Sequence, residues 1–258
     1  MVIRVITSLH AQRRTRRDGS TICVIVQARI GSTRLPGKVM KDILGKPMLI
    51  RVLERIKEMK TKDTLVVATT TSREDDIIVT TVREYDETIG IYRGSSHDVL
   101  DRYHKAAKKY EVDIIVRITS DDPLIDPKIS DMVVEAFLEN QCDYCCNNMR
   151  RTYPYGMDTE VFSVESLEKA WKEAHSADER EHVTPYMRKN PDKFKLLNVE
   201  HSTDLSRLRW TVDYEEDFEF VTKIYERLYS EERIFSMEDI LDVLHKEPWL
   251  ADINRIFR

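Results

Sequence analysis

A short loop gathers cationic, hydroxyl and glycine residues between positions 27 and 38, in the sequence QARIGSTRLPGK. It directly follows the apolar run 22–26, which is typical of a buried strand. Glycines allow the backbone to come close to a ligand, while N–H groups, hydroxyls and cations match the oxygens of a polyphosphate. We therefore predict a nucleotide-binding loop, in which Arg29, Arg34 and Lys38 are the catalytic cations. The residues expected to contact the nucleotide here are Ala28, Arg29, Gly31, Ser32, Arg34 and Lys38.

Two adjacent carboxylates, Asp121 and Asp122, follow another apolar run at 113–118. Carboxylate oxygens suit a hard cation such as Mg²⁺, which usually binds substrate phosphates as well. The same pair would also suit a turn before a helix, for which Asp126 is the better N-cap. Asp213 is the candidate for a second metal carboxylate. The alternative is that it merely precedes an acidic helix start, in which Glu215, Glu216 and Asp217 are favourable first-turn charges.

Three further segments carry candidate ligand-binding residues. Thr69 and Thr70 close a second apolar run, where small hydroxylated residues would let a flat nucleobase lie against the backbone. Asp158 and Glu160 are two positions apart on a predicted strand, so both carboxylates lie on one side of it as candidate acceptor ligands. His182 is the third acceptor-site candidate, and an exposed helix surface is its alternative interpretation.

Strand-like and helical segments that would position these residues alternate from residue 22 onward. Apolar runs predict strands at 22–26, 65–68, 88–92 and 113–118, and helical spacing predicts helices at 48–59, 74–84, 98–110 and 127–139. Such alternation indicates right-handed βαβ units and a mostly parallel sheet, so the fold class is α/β. Ligands of such sheets bind beyond the carboxyl ends of the strands, where the loop 27–38 and Asp121 would lie.

The second half of the chain is less regular. Short strands are predicted at 144–148, 159–162, 194–199 and 208–212, and helices at 164–174, 179–189, 215–229 and 237–245. Because no linker rich in Gly, Pro or Ser interrupts the pattern, we predict one domain over residues 21–258, with a smaller mixed elaboration in its middle. Residues 1–20 contain five arginines and no clear amphipathic period, which indicates a flexible basic leader or, alternatively, a targeting or docking arm.

The composition of the 258 residues excludes several classes of protein. A net charge of −5 argues against a general nucleic-acid binder, which needs a basic surface. No apolar run approaches the roughly 20 residues that cross a bilayer, and no secretory signal is evident. We therefore expect a cytoplasmic protein with neither a nucleic-acid nor a membrane partner.

The segment 26–38, VQARIGSTRLPGK, closely resembles the signature of the cytidylyltransferases that activate acidic sugars. Among them the chain resembles the spore coat polysaccharide biosynthesis protein F family, whose relatives include the acylneuraminate and 3-deoxy-manno-octulosonate cytidylyltransferases. The similarity continues through 67–70, 93–95, 98–103, 151–154, 181–186 and 209–213.

This resemblance implies a Rossmann-like nucleotide-diphosphosugar transferase fold and Mg²⁺-dependent transfer of CMP from CTP with release of pyrophosphate. It also implies that Arg29, Ser32, Arg34 and Lys38 handle the triphosphate, that Asp121 and Asp213 hold the metal, and that the protein is a homodimer. Two positions depart from the family's pattern. Ser120 stands where relatives usually have glycine, and Asp122 stands where this family often has cysteine. The extra carboxylate of Asp122 would alter the metal geometry or the choice of acceptor.

The resulting hypothesis is a cytidylyltransferase of surface polysaccharide biosynthesis, whose acceptor is an acidic sugar or a related anionic or phosphorylated molecule. A phosphate or carboxylate acceptor needs no general base, whereas a sugar hydroxyl needs metal coordination or a carboxylate such as Asp158 or Glu160. The alternatives are a nucleotidyltransferase that uses GTP or UTP, a glycosyltransferase that consumes a nucleotide sugar, and a non-catalytic nucleotide-binding subunit.

Overall fold

Eight strands form one sheet within residues 3–6 and 19–255, which this computed structural model describes. A separate two-stranded ladder pairs β3 with β4. The strands in chain order are β1 (Ile3–Ile6), β2 (Ile22–Gln27), β3 (Asp42–Ile43), β4 (Lys46–Pro47), β5 (Thr64–Thr70), β6 (Gly90–Gly94), β7 (Ile114–Thr119), β8 (Tyr144–Cys146), β9 (Glu160–Ser163) and β10 (Leu196–Glu200). The order in the large sheet is β1-β10-β8-β9-β7-β2-β5-β6, and every neighbouring pair is parallel except those of β9 with β7 and β8.

Helices cover the sheet and form much of the carboxyl-terminal part of the chain. They are α1 (Met48–Lys57), α2 (Asp76–Tyr85), α3 (Val99–Lys109), α4 (Pro127–Asn140), α5 (Val164–Glu173), α6 (Ala177–His182), α7 (Pro185–Lys189), α8 (Glu215–Leu228) and α9 (Met237–Lys246). Short 3₁₀ segments lie at Lys38–Met40, Arg73–Asp75 and Pro248–Asp252. Among the described helices, none combines the length and the apolar character that crossing a membrane requires.

The buried strand β2 explains the layered core. Its side chains alternate between the two faces of the sheet, so Val24 packs in the cluster that contains α1 and α4 residues, while Ile25 packs in the cluster that contains α3 residues. A third cluster joins α8 and α9 to Trp210 and Val212, directly before Asp213. The mostly parallel α/β architecture predicted from the alternating pattern is thereby confirmed.

Two predicted elements of the second half are wrong. The helix expected at 179–189 is split between α6 and α7, because Val183 takes a left-handed φ of 72° and Pro185 then begins a new helix. The segment expected as a strand at 208–212 makes one isolated bridge, between Tyr155 and Arg209. It runs instead from the 154–156 turn to the loop after β7, where the Val212 N–H donates to the Asp121 carbonyl at 2.8 Å.

The predicted leader needs a correction at residues 3–6. These residues form the edge strand β1, which pairs in parallel with β10, rather than a segment without regular structure. The arginines at 13, 14, 16 and 17 lie outside the described residues, so the flexibility predicted there stays a prediction.

Asp126 connects two helices, and the predicted N-cap is confirmed. Its Oδ1 accepts the Lys128 N–H at 2.8 Å in the first turn of α4. Its Oδ2 accepts the Met237 N–H at 2.7 Å, at the first residue of α9. One buried carboxylate therefore satisfies the amino-terminal donors of two helices that are far apart in sequence.

Candidate active site

The loop between β2 and the 3₁₀ segment at Lys38 lies at the carboxyl edge of the sheet. The Ile30 carbonyl accepts the N–H groups of Ser32 at 2.7 Å and Gly37 at 3.1 Å, which folds the loop back on itself. Gly37 has a φ of 71°, a conformation that favours glycine. Some of the loop's N–H groups have no acceptor in the described part of the chain and are available to an anion. They belong to Arg29, Gly31, Thr33 and Arg34.

Lys38 lies between two carboxylates from distant parts of the chain. Its Nζ is 3.0 Å from Asp121 Oδ2 and 3.0 Å from Asp213 Oδ1, and it donates to the Val212 carbonyl at 2.7 Å. Burial alone would lower the pKa of Lys38, but Asp121 and Asp213 outweigh it and raise this pKa. The ammonium is therefore charged at neutral pH and brings together the loop, the end of β7 and the start of α8.

Asp213 is held by cations on both of its oxygens. Besides Lys38, the Arg34 guanidinium donates to Oδ1 at 2.7 Å and that of Arg209 donates to Oδ2 at 2.8 Å. Burial raises the pKa of Asp213, but Lys38, Arg209 and Arg34 more than offset this and the pKa is lowered. Asp217 supports the arrangement, because its Oδ1 accepts Arg209 Nε at 3.0 Å and its Oδ2 accepts the Asp213 N–H at 2.9 Å.

A cavity of about 270 Å³ opens beside these residues, a size that suits a small molecule. Carboxylates outnumber arginines in its wall, by five to three. An anionic ligand would therefore need either rearranged ion pairs or an added cation. The lining residues are Arg117, Thr119, Asp121, Asp122, Arg151, Tyr155, Gly156, Asp158, Glu160, Arg209, Thr211 and Asp213.

Asp158 and Glu160 both line this cavity, but only Glu160 lies on β9, since Asp158 precedes the strand, and their acceptor-binding role stays a prediction. Arg151 donates to both oxygens of Asp158, at 2.7 Å for Nη2, and its guanidinium lies 3.7 Å from the ring centre of Tyr155. This ion pair lies in the cavity wall. A ligand anion that displaced Asp158 could therefore bind to Arg151 in its place.

Glu160 is more deeply enclosed. It pairs with Arg117 and accepts the hydroxyls of Tyr144 and, at 2.7 Å, Thr184. Burial would raise the pKa of Glu160, but Arg117 and the two hydroxyls outweigh burial and lower it. Asp122 is the opposite case, since burial and the nearby charges of Asp121 and Asp158 raise its pKa well above the usual range.

Gly156 fixes the distance between two walls of the cavity. Its φ is 98°, and an added Cβ would lie 2.6 Å from the Thr211 nitrogen and 2.7 Å from the Trp210 carbonyl carbon. Only glycine allows this approach. The neighbouring hydrogen bonds, Tyr155 N–H to Leu208 O at 2.9 Å and Trp210 N–H to Tyr155 O at 2.7 Å, then set the path of the chain toward Asp213.

Three predicted nucleotide ligands are buried in the protein. Ala28 is nearly buried and its N–H donates to the Ala68 carbonyl at 3.2 Å. Thr69 and Thr70 lie at the end of β5, but both side chains are buried and the Thr70 hydroxyl donates to Asp75. Among the described residues the buried Thr69 hydroxyl has no hydrogen-bond partner, so it stays a candidate for the expected nucleotide contact, whereas the Thr70 hydroxyl is already used by Asp75.

Arg29 lies next to α6, and His182 is the last residue of that helix. Arg29 Nη1 is 3.5 Å from the Ser96 carbonyl, and its Nη2 is 3.8 Å from Glu181 Oε1. His182 is exposed, with Nε2 at 3.9 Å from Asp178 on the same helix, and it does not line the cavity of Asp158 and Glu160. Its acceptor-binding role stays a prediction.

Sequence reasoning gave no ligand-binding or positioning role to the three arginines of the cavity or to Asp217. Arg117 was recognisable as a charge inside the apolar strand run 113–118, a position that requires a partner when buried. Asp217 was interpreted as a first-turn helix charge, although it lies four residues after Asp213 and accepts the N–H of that residue. Arg151 and Arg209 lay within segments of family similarity but carried no spacing signal of their own.

Asp121 and Asp213 have the chemistry to hold Mg²⁺. Both carboxylate oxygens lie 3.0 Å from the same ammonium, so they converge on one position, and hard divalent cations prefer oxygen ligands. Among the described residues there is no group of three or more His, Cys, Asp or Glu that would form a complete metal cluster. Magnesium commonly binds through one or two carboxylates plus substrate phosphates and water, so two carboxylates fit this ion.

Comparison with known proteins adds a family and a fold. A family model described as cytidylyltransferase matches residues 23–246. The spore coat polysaccharide biosynthesis protein SpsF of Bacillus subtilis (strain 168) is 30% identical over 238 residues, which cover 88% of this chain and 95% of SpsF.

Solved structures extend the comparison. A cytidylyltransferase from Leptospira borgpetersenii serovar Hardjo-bovis aligns with a TM-score of 0.85 and 38% identity, over 90% of this chain and 97% of that one. A CMP:2-keto-3-deoxy-manno-octonic acid synthetase complexed with CTP aligns with a TM-score of 0.61 over 81% of this chain and 99% of that one. At 20% identity, the second similarity establishes a common fold.

Proposed function

Because this chain belongs to the cytidylyltransferase family, we propose that it transfers CMP from CTP to a small anionic acceptor, an acidic sugar in the first place, and releases pyrophosphate. The observation that carries the proposal is the convergence of Lys38 with Asp121 and Asp213 beside a small cavity that contains arginines. Charge stabilisation and positioning are the main requirements of phosphoryl transfer, and both are present in this arrangement.

The donor side of the site would be the loop after β2. Its N–H groups at Arg29, Gly31, Thr33 and Arg34 would donate to the phosphates, and the guanidinium of Arg34 together with Lys38 would offset their charge. CTP is the donor we propose, since the family is that of cytidylyltransferases and the structural relative in complex with CTP has the same fold.

Asp121 and Asp213 would hold Mg²⁺ at the junction of the loop and the cavity. When bound, the ion supplies positive charge that neutralises and polarises the phosphate oxygens. An added cation would also compensate the excess of carboxylates over arginines in the cavity wall. Asp217 and Arg209 would keep Asp213 in place, because they hold its N–H and its Oδ2.

In the proposed reaction, an acceptor oxygen forms a bond to the α-phosphorus while the bond from that phosphorus to the bridging oxygen breaks. Pyrophosphate carries away the electron pair of the broken bond, and Lys38 and Arg34 would stabilise its charge. An ionised carboxylate or phosphate acceptor has no proton to lose. If the acceptor oxygen is a hydroxyl, Glu160 would be a weak base, since Arg117 and two hydroxyls already lower its pKa.

Arg151 would bind the anionic group of the acceptor. Of the three arginines in the cavity wall, Arg117 is held by the buried Glu160 and Arg209 by both Asp213 and Asp217. Arg151 pairs with the partly exposed Asp158, and its guanidinium packs over the ring of Tyr155. Exchange of Asp158 for a ligand carboxylate or phosphate would conserve the two-pronged geometry of the pair.

The biological setting we propose is the synthesis of a surface polysaccharide, because the relative from Bacillus subtilis is described as a spore coat polysaccharide biosynthesis protein. We further propose a cytoplasmic homodimer that binds neither nucleic acid nor membrane. The acidic net charge of −5 supports the absence of a nucleic-acid partner.

A nucleotide and acceptor panel tests the function. The full chain would be incubated with Mg²⁺ and each of the four nucleoside triphosphates, together with acidic sugars, sugar phosphates and neutral sugars. Pyrophosphate release and mass spectrometry of the products are the measurements. We expect CMP-linked products from CTP and an acidic acceptor. Lys38→Ala should lower turnover about 100-fold or more, and the exposed Lys172→Ala should not change it.

The other outcomes would replace the proposal. Turnover with GTP or UTP alone would indicate a different nucleotidyltransferase, and consumption of a nucleotide sugar without pyrophosphate would indicate a glycosyltransferase. Tight nucleotide binding without any product from the panel would favour a non-catalytic subunit.

A further inference from the structure

We propose that Asp75 is a positioning residue, which lies outside the cavity and holds the phosphate-binding loop in the conformation that receives the triphosphate. The inference rests on the proposed function of that loop. Asp75 ends the 3₁₀ segment before α2 and is fully buried. A buried carboxylate is costly unless donors satisfy its oxygens, so its partners indicate what it does.

The partners of Asp75 come from two ligand-facing segments. Its Oδ1 accepts the Ile30 N–H at 2.7 Å, in the loop after β2. Its Oδ2 accepts the hydroxyl of Thr70 and, at 3.3 Å, the N–H of Thr70 at the end of β5. The Thr70 hydroxyl in turn accepts the Ser72 N–H at 3.1 Å. One carboxylate thus connects the ends of two adjacent parallel strands.

Ile30 is the residue on which the loop turns. Its carbonyl accepts from Ser32 and Gly37, and its N–H donates to Asp75, so all its backbone polar groups are engaged within the protein. The neighbouring N–H groups of Arg29 and Gly31 are the ones available to a phosphate. By fixing the peptide between them, Asp75 sets the direction in which both groups donate.

A capping role does not account for Asp75. The residue stands at the N-cap position of α2, where a carboxylate usually accepts from the second or third N–H of the helix. Its side chain makes no such hydrogen bond. The carboxylate is directed at the loop instead. The side chain of the adjacent Glu74 lies beside the loop, since a Cβ added to Gly31 would be 3.2 Å from Glu74 Oε1.

The test compares ligands that differ in their phosphates. CTP, CMP and cytidine would be titrated calorimetrically, with Mg²⁺, into the wild type and Asp75→Asn. We expect the variant to bind CTP about tenfold more weakly, because one or two charge-assisted hydrogen bonds to the loop are lost. The affinity for cytidine should change less than about twofold. A loss that grows with the number of phosphates is not expected from a merely structural role.

Asp131→Asn is the matched control. Asp131 is also a buried carboxylate that accepts backbone N–H groups and a threonine hydroxyl, those of Lys60 and Thr61. These residues precede β5, at the opposite edge of the sheet from the loop. The control should lose thermal stability as Asp75→Asn does, and it should bind CTP like the wild type.

A second pair of variants decides the case if Asp75→Asn does not fold. Thr70→Val removes the hydroxyl that donates to Asp75, and we expect about threefold weaker CTP binding, which Thr70→Ser should largely restore. Equal loss of CTP, CMP and cytidine affinity, or unchanged CTP affinity in Asp75→Asn or Thr70→Val, overturns the role of Asp75. Either result leaves the proposed function of the protein standing. If the wild type binds no nucleoside triphosphate, the proposed function fails and this inference falls with it.

Discussion

At the scale of single residues, the site is a set of cations and carboxylates that neutralise one another. Lys38 contacts two carboxylates, and Asp213 contacts three cations. The side chains of Lys38, Asp213 and Arg209 are largely buried, so their charges depend on one another more than on water, whereas Arg34 is half exposed. Removing one member should therefore change both the stability of the protein and its affinity for a divalent ion.

Lys38→Met tests this exchange of cations. The variant leaves Asp121 and Asp213 without the ammonium that lies between them, so we expect its midpoint of thermal unfolding to fall by several °C in a chelator. Millimolar Mg²⁺ should raise that midpoint more in Lys38→Met than in the wild type. Differential scanning fluorimetry with and without Mg²⁺ measures both effects. Equal responses to Mg²⁺ in the two proteins would contradict a metal site at these carboxylates.

Glu160→Ala tests the buried pair of Arg117 and Glu160 in the cavity wall. The substitution leaves the Arg117 guanidinium buried without its carboxylate, for which we expect a loss of about 3 kcal/mol in the free energy of unfolding. Urea denaturation followed by circular dichroism is the measurement. Glu219→Ala removes an exposed carboxylate next to Lys223 and should cost less than about 0.5 kcal/mol. Similar losses in both variants would show that the buried pair contributes no more than a surface one.

At the scale of elements, a turn and an irregular segment form the wall that carries Asp213. Gly156→Ala should disturb this contact, because the new methyl group would meet the Thr211 nitrogen. Gly45→Ala is the control for backbone strain, since its φ of 82° is similar but nothing lies within 4 Å of its added Cβ. We expect Gly45→Ala to cost about 1 kcal/mol in unfolding free energy and to leave turnover unchanged.

Gly156→Ala should cost more than that control and also lower turnover at least tenfold. Parallel urea melts and pyrophosphate-release rates give the comparison. If both glycine variants behaved alike, the close approach at residue 156 would have no part in placing Asp213.

The start of α9 predicts a dependence of stability on pH. Arg233 and the Ser236 cap lower the pKa of Asp239 below its usual value. A lowered pKa in the folded state means that this carboxylate stabilises the fold above about pH 4 and loses the effect as the pH falls further. We expect Asp239→Asn to cost about 1 kcal/mol at pH 7. The difference from the wild type should shrink in urea melts below pH 4, and a constant difference would contradict the assignment.

At the scale of the whole molecule, the strand β1 closes one edge of the sheet. Deleting residues 1–18 removes its pairing with β10 and exposes the hydrogen-bonding groups of Leu196–Glu200. We expect a lower midpoint of thermal unfolding and more self-association, with CTP affinity unchanged because β1 is separated from β2 by four strands. Fluorimetry, light scattering and calorimetry measure these three properties. A large loss of CTP affinity would contradict the separation.

The order of strands and helices was readable because their signals are local. The buried run of β2 and the helical spacing of α1 and α4 are patterns of neighbouring residues, so they can be recognised without knowledge of the tertiary structure. The strand predicted at 208–212 was wrong, because this segment makes its backbone contacts with two loops and not with a strand of the sheet. For the site, the cationic loop and Asp121 were identified from their positions at strand ends. The pairing of Arg151 with Asp158, or of Asp75 with Ile30, depends on residues that only folding brings together.

The double role of Asp126 has a consequence for how such a chain can diverge. Its two oxygens serve the beginnings of α4 and α9, which lie 110 residues apart along the chain between Pro127 and Met237. A change at this position should therefore weaken both helix starts at once. A substitution elsewhere that supplied a new acceptor to one of the two helices would leave the other without its cap.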